Sequence, residues 1–365
     1  MPPVTINSIG GLAGGDVLRP YLEGSGYFNV KTDGGAGGNG IVDDTEAIQS
    51  ALDSGKSLIV PPGAYAVNNL VITKAGQTII AHGPLAGGLA GGGPPRFLKN
   101  ANGPMFTIAN GASWVDFRHV YLDGNGGLFT GVGIDVQFQE FRFIGGRILN
   151  MDSYCVDFTV SDATARCTIG DCQLSRTDSS PGRPMIRLAP ADTTSTDKIL
   201  SRIFAAGDLV DTRGTETVLI TGCDFQNMIF QNGSKKVTMV GNRMATLGAD
   251  TTVLGVNHTI LGNTHAGRFV IPSNFCTSCL VGPNQTVTAS VDQSAPSSNN
   301  LLLDTYAMNF LRLGTVPVIF TTNPGTPESV VTAPPGSYCA DTTNGEGYIK
   351  KTGTGNTGWK LVTHA

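Results

Sequence analysis

The chain is poor in charge: 24 Lys and Arg and 28 Asp and Glu in 365 residues, or 14% charged with a net charge of -4. Nothing in that balance favours a phosphate backbone, so no nucleic acid is expected as a partner. No apolar run approaches the roughly 20 residues of a membrane helix, and membrane insertion is not expected. The first residues, MPPVTINSIGG, lack a basic region followed by an apolar core, so no secretory signal is expected. Histidine is sparse and scattered, with His258 and His265 as the one loose pair. Seven cysteines include a lone C-x-x-C, Cys276 to Cys279, with no second pair at ligand spacing. No metal and no cofactor are expected, and the odd cysteine count points to reduced thiols acting as small buried hydrophobes. Neither a G-x-S-x-G elbow nor a phosphate-binding G-x-x-x-x-G-K-[ST] loop is present.

What is present is glycine, 49 residues of it, amid many Thr, Val and Ile. That mixture suits short strands joined by tight turns. From about residue 110 to 285 an apolar residue, four residues often including glycine, and a second usually apolar residue recur. The pairs are Phe117 and Leu122, Phe143 and Ile148, Ile169 and Leu174, Ile199 and Phe204, Ile220 and Phe225, Met239 and Met244. Two degenerate copies follow, Ile260 and His265, then Leu280 and Gln285. First members lie 26, 26, 30, 21, 19, 21 and 20 residues apart, a period proper to a solenoid. Two residues earlier stand Val115, Phe141, Cys167, Val218 and Val237, which is strand alternation with one face buried. The pattern predicts about nine or ten coils stacked as parallel strands. Gly170, Gly222, Gly241 and Gly262 are read as bends. Asn242 and Asn263 fall one coil apart and predict a stacked amide ladder.

Ahead of the repeat, residues 28–63 read FNVKTDGGAGGNGIVDDTEAIQSALDSGKSLIVPPG. A strand-like start meets a glycine-rich loop, a short helix and a strand ending in Pro61-Pro62-Gly63. Asp43 and Glu46 form a capping-box pattern, Ala47, Ile48, Ala51 and Leu52 share a helix face, and Gly55 follows the end. This order resembles the opening segment of pectin-lyase-like right-handed parallel β-helices, bacteriophage tailspikes above all. It departs from that pattern at Asn39, where the family more often has aspartate. At the other end, GYIKKTGTGNTGWKLV (347–362) predicts a β-hairpin and resembles a terminal motif of phage tail proteins. The resemblance implies an all-β right-handed, single-stranded parallel β-helix, capped by a short helix and closed by a small β region. Residues 1–26 are read as an arm for virion attachment or oligomer contact, 27–285 as the β-helix, 286–300 as a linker and 301–365 as the C-terminal β region.

Two outward columns carry the candidate chemistry. Ile134-Asp135-Val136, Val156-Asp157-Phe158 and Ile186-Arg187-Leu188 each set a charged residue between two apolar ones. Stacking puts Asp135 and Asp157 about 5 Å apart, near the carboxylate separation of a retaining glycosidase. Like charges at that distance would raise one pKa, and Arg187 is placed to hold a second carboxylate or an acidic sugar. The plainer reading is a solvated polar stripe, partly neutralised by arginine. On the preceding strand Trp114, Glu140 and Arg166 are equivalent, as are Asp116 and Arg142. An exposed indole beside guanidinium groups suits a sugar ring and its acid groups, whereas the plainer reading is cross-strand ion pairs. Asp135 and Asp157 are the first catalytic candidates, with Glu140 in reserve. Trp114, Asp116, Arg142, Arg166 and Arg187 are the binding candidates.

The resemblance implies a tailspike or receptor-binding protein, homotrimeric, carried on the virion and made in the host bacterial cytoplasm. Its expected partners are capsule or lipopolysaccharide and phage tail or baseplate proteins. It would bind, and in one reading depolymerise, the polysaccharide by hydrolysis or elimination. A non-catalytic tail or baseplate adhesin and a cellular pectate-lyase-like enzyme are the alternatives.

Overall fold

A computed structural model of the chain describes residues 26–83, 94–138, 140–159, 166–177, 184–188, 198–212, 216–230, 234–245, 251–266, 269–271, 276–282, 284–286, 291–293, 301–303, 310–313 and 316–363. The arm read at residues 1–26 lies almost wholly outside them.

The repeat winds into a right-handed parallel β-helix with three sheets. Every coil contributes a strand to the first sheet, turns a short corner, contributes to the second, and reaches the third before returning. Twelve first-sheet strands stack in parallel among the described residues, beginning at Tyr27, Ser57, Thr78, Val115, Phe141, Cys167, Lys198, Glu216, Lys235, Thr259, Leu280 and Leu301. The third sheet runs through Leu70–Ile72, Phe106–Ile108, Ile134–Val136, Val156–Phe158, Ile186–Arg187 and Val210–Asp211. It resumes in Thr251–Thr252, Phe269–Ile271 and Val291–Gln293. That last strand falls within the stretch 286–300 read as a linker, so coil pairing continues into it.

The predicted interior column is present. Ile79, Phe117, Phe143, Ile169, Leu200, Ile220, Met239, Ile260 and Val281 are register partners in succession and all are buried. Two rungs differ from the sequence reading by one residue. Leu200 rather than Ile199 joins the column, leaving Ile199 37% and Phe204 50% exposed. Val281 replaces Leu280 in the same way. In both places two apolar residues are adjacent, and a one-residue slip exchanges inside for outside. Beneath the early coils, Tyr65, Phe97, Phe106, Phe117, Phe141 and Phe158 form a chain of ring contacts 5.1 to 6.1 Å apart. Each such pair is worth roughly 1 kcal/mol beyond its buried area.

At the corner between first and second sheets the asparagine ladder is longer than predicted. Asn242 Nδ2 donates to Asn263 Oδ1 (2.9 Å), and Asn263 Nδ2 to Asn284 Oδ1 (3.0 Å). Their second amide hydrogens reach Ile220 O and Met239 O, and each Oδ1 also takes a backbone N–H from the coil before. A buried amide with all its groups matched holds three coils in register. The bend itself sits one residue beyond the predicted Gly170, which lies in the strand opposite Ser201. Asp171 takes the left-handed conformation instead (φ 52°) and is gripped across the corner by Arg202 at 2.5 and 2.6 Å.

Helix α1, Thr45–Asp53, lies over the open end and buries Ile48, Ala51 and Leu52. Its cap corrects the sequence reading. Asp44 is the N-cap, and its carboxylate turns to the glycine-rich loop, accepting from Gly37 N (2.6 Å) and Gly38 N (3.1 Å). Asp43 instead accepts from Thr45 N at 2.9 Å, and Asn39 Oδ1 takes the amides of Ile41 and Val42. After the last coil, Leu301–Leu303, Phe310–Leu313 and Val316–Asn323 pair antiparallel. The predicted hairpin follows, with Lys350 opposite Trp359. Trp359 packs on Ala333 and Cys339, and Lys350 Nζ lies 5.5 Å from its ring and donates to the Gly355 and Thr357 carbonyls.

Candidate functional site

Strand alternation buries Ile134, Val136, Val156 and Phe158 and turns the residues between them outward. Register then makes one row across the third sheet: Thr107, Asp135, Asp157, Arg187 and Asp211. Asp135 and Asp157 are direct neighbours, as their spacing implied. Neither is the solvated group of a polar stripe, for Asp135 is 8% and Asp157 4% exposed.

Each carboxylate is held in a defined way. Asp135 accepts from Thr159 Oγ1 at 2.5 Å and Gln137 Nε2 at 2.7 Å. Asp157 receives both arms of Arg187, Nε to Oδ1 at 2.6 Å and Nη2 to Oδ2. That hydrogen bond raises the Arg187 pKa above its ordinary value. The guanidinium also lies over the Tyr154 ring, Cζ to centroid 4.6 Å. Arg176 approaches the same ring at 5.8 Å and spends its terminal nitrogens on Asp152 O (2.8 Å) and Pro184 O (3.4 Å). Of the two partners expected for Arg187, a second carboxylate or an acidic sugar, the structure gives the carboxylate, that of Asp157.

Sequence reasoning missed Tyr154, Thr159 and Gln137, whose roles depend on side-chain reach. In the sequence Asp211 stands with Asp208 and Asp224 as a further acidic candidate without a distinguishing feature, and register puts it beside Arg187.

The second column also assembles. Trp114 and Glu140 take left-handed backbone (φ 60° and 64°) at the turn into the first sheet. Val115 N donates to Glu140 O and Phe141 N to Arg166 O, which places the three residues on successive coils. Trp114 is 59% exposed. Arg166 is 4.0 Å from Glu140. Arg142 stands opposite Asp116 at 4.0 Å, while Arg118 takes Asp116 Oδ2 at 2.7 Å. Asp116 faces outward yet is buried beneath these arginines, and its Oδ1 has no hydrogen-bond partner.

Among the described residues no group of three or more His, Cys, Asp or Glu is placed to hold a metal ion. Cys155, Cys167, Cys172, Cys223, Cys279 and Cys339 are buried free thiols. Burial pushes Cys155 up to about 12 and Cys167 and Cys223 to about 11, so they are poor nucleophiles. Cys276 of the C-x-x-C has no described side chain.

No protein-family model matches the sequence, and no curated protein does. Solved structures match by shape. ORF18 of Geobacillus virus E2 superposes with a TM-score of 0.58 at 13% identity, covering 98% of this chain and 90% of its own. DFA-IIIase from Arthrobacter chlorophenolicus A6, without its lid, gives 0.50 at 15% identity over 76% of this chain and 94% of its own. The enzymatically active domain of bacteriophage CBA120 tailspike protein 2 gives 0.43 at 16%, covering 82% of this chain and 47% of that one. The chain has a right-handed parallel β-helix fold, as residues 28–63 suggested.

Proposed function

We propose that this chain is a phage tailspike or receptor-binding protein that binds a bacterial surface polysaccharide along the side of its β-helix. The observation that carries the reading is the outward row Asp135, Asp157, Arg187 and Asp211, with Tyr154 beside it. Carboxylates and a guanidinium held rigid by neighbours, next to an aromatic ring, match the hydroxyls and apolar faces of sugars. The flat sheet supplies a binding surface longer than one sugar unit. Trp114, Glu140 and Arg166, with Asp116 and Arg142, form a second glycan contact at the turn into the first sheet. The phage assignment rests on the resemblance of residues 28–63 and 347–362 to tailspike and tail-protein segments. It brings with it a place on the virion, contact with other tail or baseplate proteins, and a homotrimer.

Depolymerisation is the second reading, favoured by the carboxylates of Asp135 and Asp157 on neighbouring strands. Strand spacing of about 4.8 Å approximates the separation at which a retaining glycosidase sets its acid and its nucleophile. Incubating the purified protein with capsule and lipopolysaccharide preparations separates the readings. Binding without new chain ends supports the adhesin, and binding with new ends supports the depolymerase. Absence of binding to every preparation overturns both.

A further inference from the structure

We infer that the outer face of the second sheet holds a binding site for an acidic polysaccharide, separate from the third-sheet row and from the Trp114 column. The site begins with alternation. The second sheet includes Arg96–Lys99, Tyr121–Asp123, Arg147–Met151 and the later parts of Cys167–Arg176 and Lys198–Ala205. In these strands Phe97, Leu122, Ile148, Leu174 and Ala205 are buried, so the residue just before each of them faces out. Register makes those residues one row: Arg96, Tyr121, Arg147, Gln173 and Phe204. A cation, a ring, a cation, an amide and a ring thus follow one another at the strand spacing of about 4.8 Å. Beyond Phe204 come Asp224 and Arg243, which pair with each other at 3.5 Å and end the site.

Arg147 is the member that asks for a ligand. It is half-buried, yet it forms no hydrogen bond or ion pair with any described residue. The carboxylate on the neighbouring strand is already taken. Asp123 accepts from Asn125 N at 3.0 Å, Asn150 Nδ2 at 3.1 Å and the Tyr121 hydroxyl at 3.2 Å, with Arg96 Nη1 at 3.6 Å. Burial and Asp123 raise the Tyr121 pKa, and the charges of Arg96 and Arg147 oppose that rise, so both cations stand near the phenol. A guanidinium is a planar fork of donors that receives a carboxylate with two parallel bonds. A sugar acid on Arg147 completes that fork, whereas a neutral hydroxyl makes only the weaker neutral-grade bond. Gln173 both donates to and accepts from hydroxyls. Phe204, 50% exposed, offers a ring to the apolar face of a pyranose. Stacked bases of a single-stranded nucleic acid would want rings at successive steps, and here Arg147 and Gln173 separate them.

The test uses the full chain and three uronate polymers, polygalacturonate, alginate and hyaluronate, each beside a sample whose carboxyls are chemically reduced to hydroxymethyl groups. The wild type should bind at least one acidic polymer about tenfold tighter than its reduced form. That preference should shrink at about 1 M salt, where the screening length falls to about 3 Å. Arg147→Gln should cut the preference at least about fivefold and Arg147→Lys by less, because lysine keeps the charge and loses the fork. Phe204→Ala should weaken the acidic and reduced forms alike, by about tenfold. Urea midpoints close to the wild type check that each variant folds. An undiminished preference in Arg147→Gln overturns the inference, as does failure of all three acidic polymers to bind. Tighter binding of oligothymidylate overturns it in favour of a nucleic acid. A change in the number of chains per particle in these variants, with polymer binding unmoved, overturns it in favour of a second copy of the chain. Each of these results leaves the proposed function standing, because that is read from capsule and lipopolysaccharide binding.

Discussion

Arg187 and Asp157 sit directly across one parallel strand pair and are joined by two hydrogen bonds, in a row that also holds Thr107, Asp135 and Asp211. The pair converts two separately placed charges into one rigid unit against Tyr154. Asp157 is therefore structural as well as a candidate for chemistry, and its removal reports on both.

Asp157→Asn should lower stability by about 1 to 3 kcal/mol, because a partly buried guanidinium loses its counter-charge. If the depolymerase reading holds, it should also abolish turnover. Denaturant unfolding and a reducing-end assay on one preparation separate the effects. Unchanged stability would mean that the ion pair is not formed in solution, and full turnover in both Asp157→Asn and Asp135→Asn would remove this row from catalysis.

Asn263→Ala should cost about 2 to 4 kcal/mol, since it strands buried groups of Asn242, Met239 and Asn284 at once. The comparison is Thr264→Ala, at an exposed position one residue on, which should change little. Equal midpoints in urea would show that the ladder contributes nothing net.

His258 is buried between Val237 N and Leu254 O, and burial lowers its pKa from 6.5 to about 4. The unfolded chain binds that proton first as pH falls. Its contribution is therefore complete above about pH 6.5 and is lost progressively toward pH 4, amounting to roughly 3 kcal/mol at most. Unfolding free energy measured between pH 7.5 and 4 should fall more steeply in the wild type than in His258→Gln. Parallel curves would show that His258 is not the group responsible.

The proposed trimer needs an apolar side, and Ile199, Leu219 and Val240 supply one on the outer face of the first sheet. Light scattering should give three chains per particle, and Leu219→Asp with Val240→Asp should shift it toward the monomer without unfolding it. A monomeric wild type at micromolar concentration would refute the assembly.

Trp114→Ala should weaken glycan binding by about tenfold if its 59% exposed ring stacks on sugar, and should leave the unfolding midpoint almost unmoved. Wild-type affinity in this variant would take the Trp114 column out of recognition.

The coil period and the alternation Val115 and Phe117, Phe141 and Phe143, Val237 and Met239 determine from sequence alone that parallel strands stack with these residues inside. Burying an apolar column demands that periodicity, so it is written in residue order. The outward row Asp135, Asp157 and Arg187 was legible for the same reason, because alternation sets facing. Only the folded chain decided between Ile199 and Leu200, and between Leu280 and Val281, where adjacent apolar residues fit either face and neighbouring coils choose the register. Likewise the partner of Arg187, the turn of Asp44 to Gly37 and the cover over Asp116 depend on how far side chains reach between coils. Residues 30 positions apart, such as Asp157 and Arg187, meet through the length of a loop and a rotamer, and local pattern carries neither.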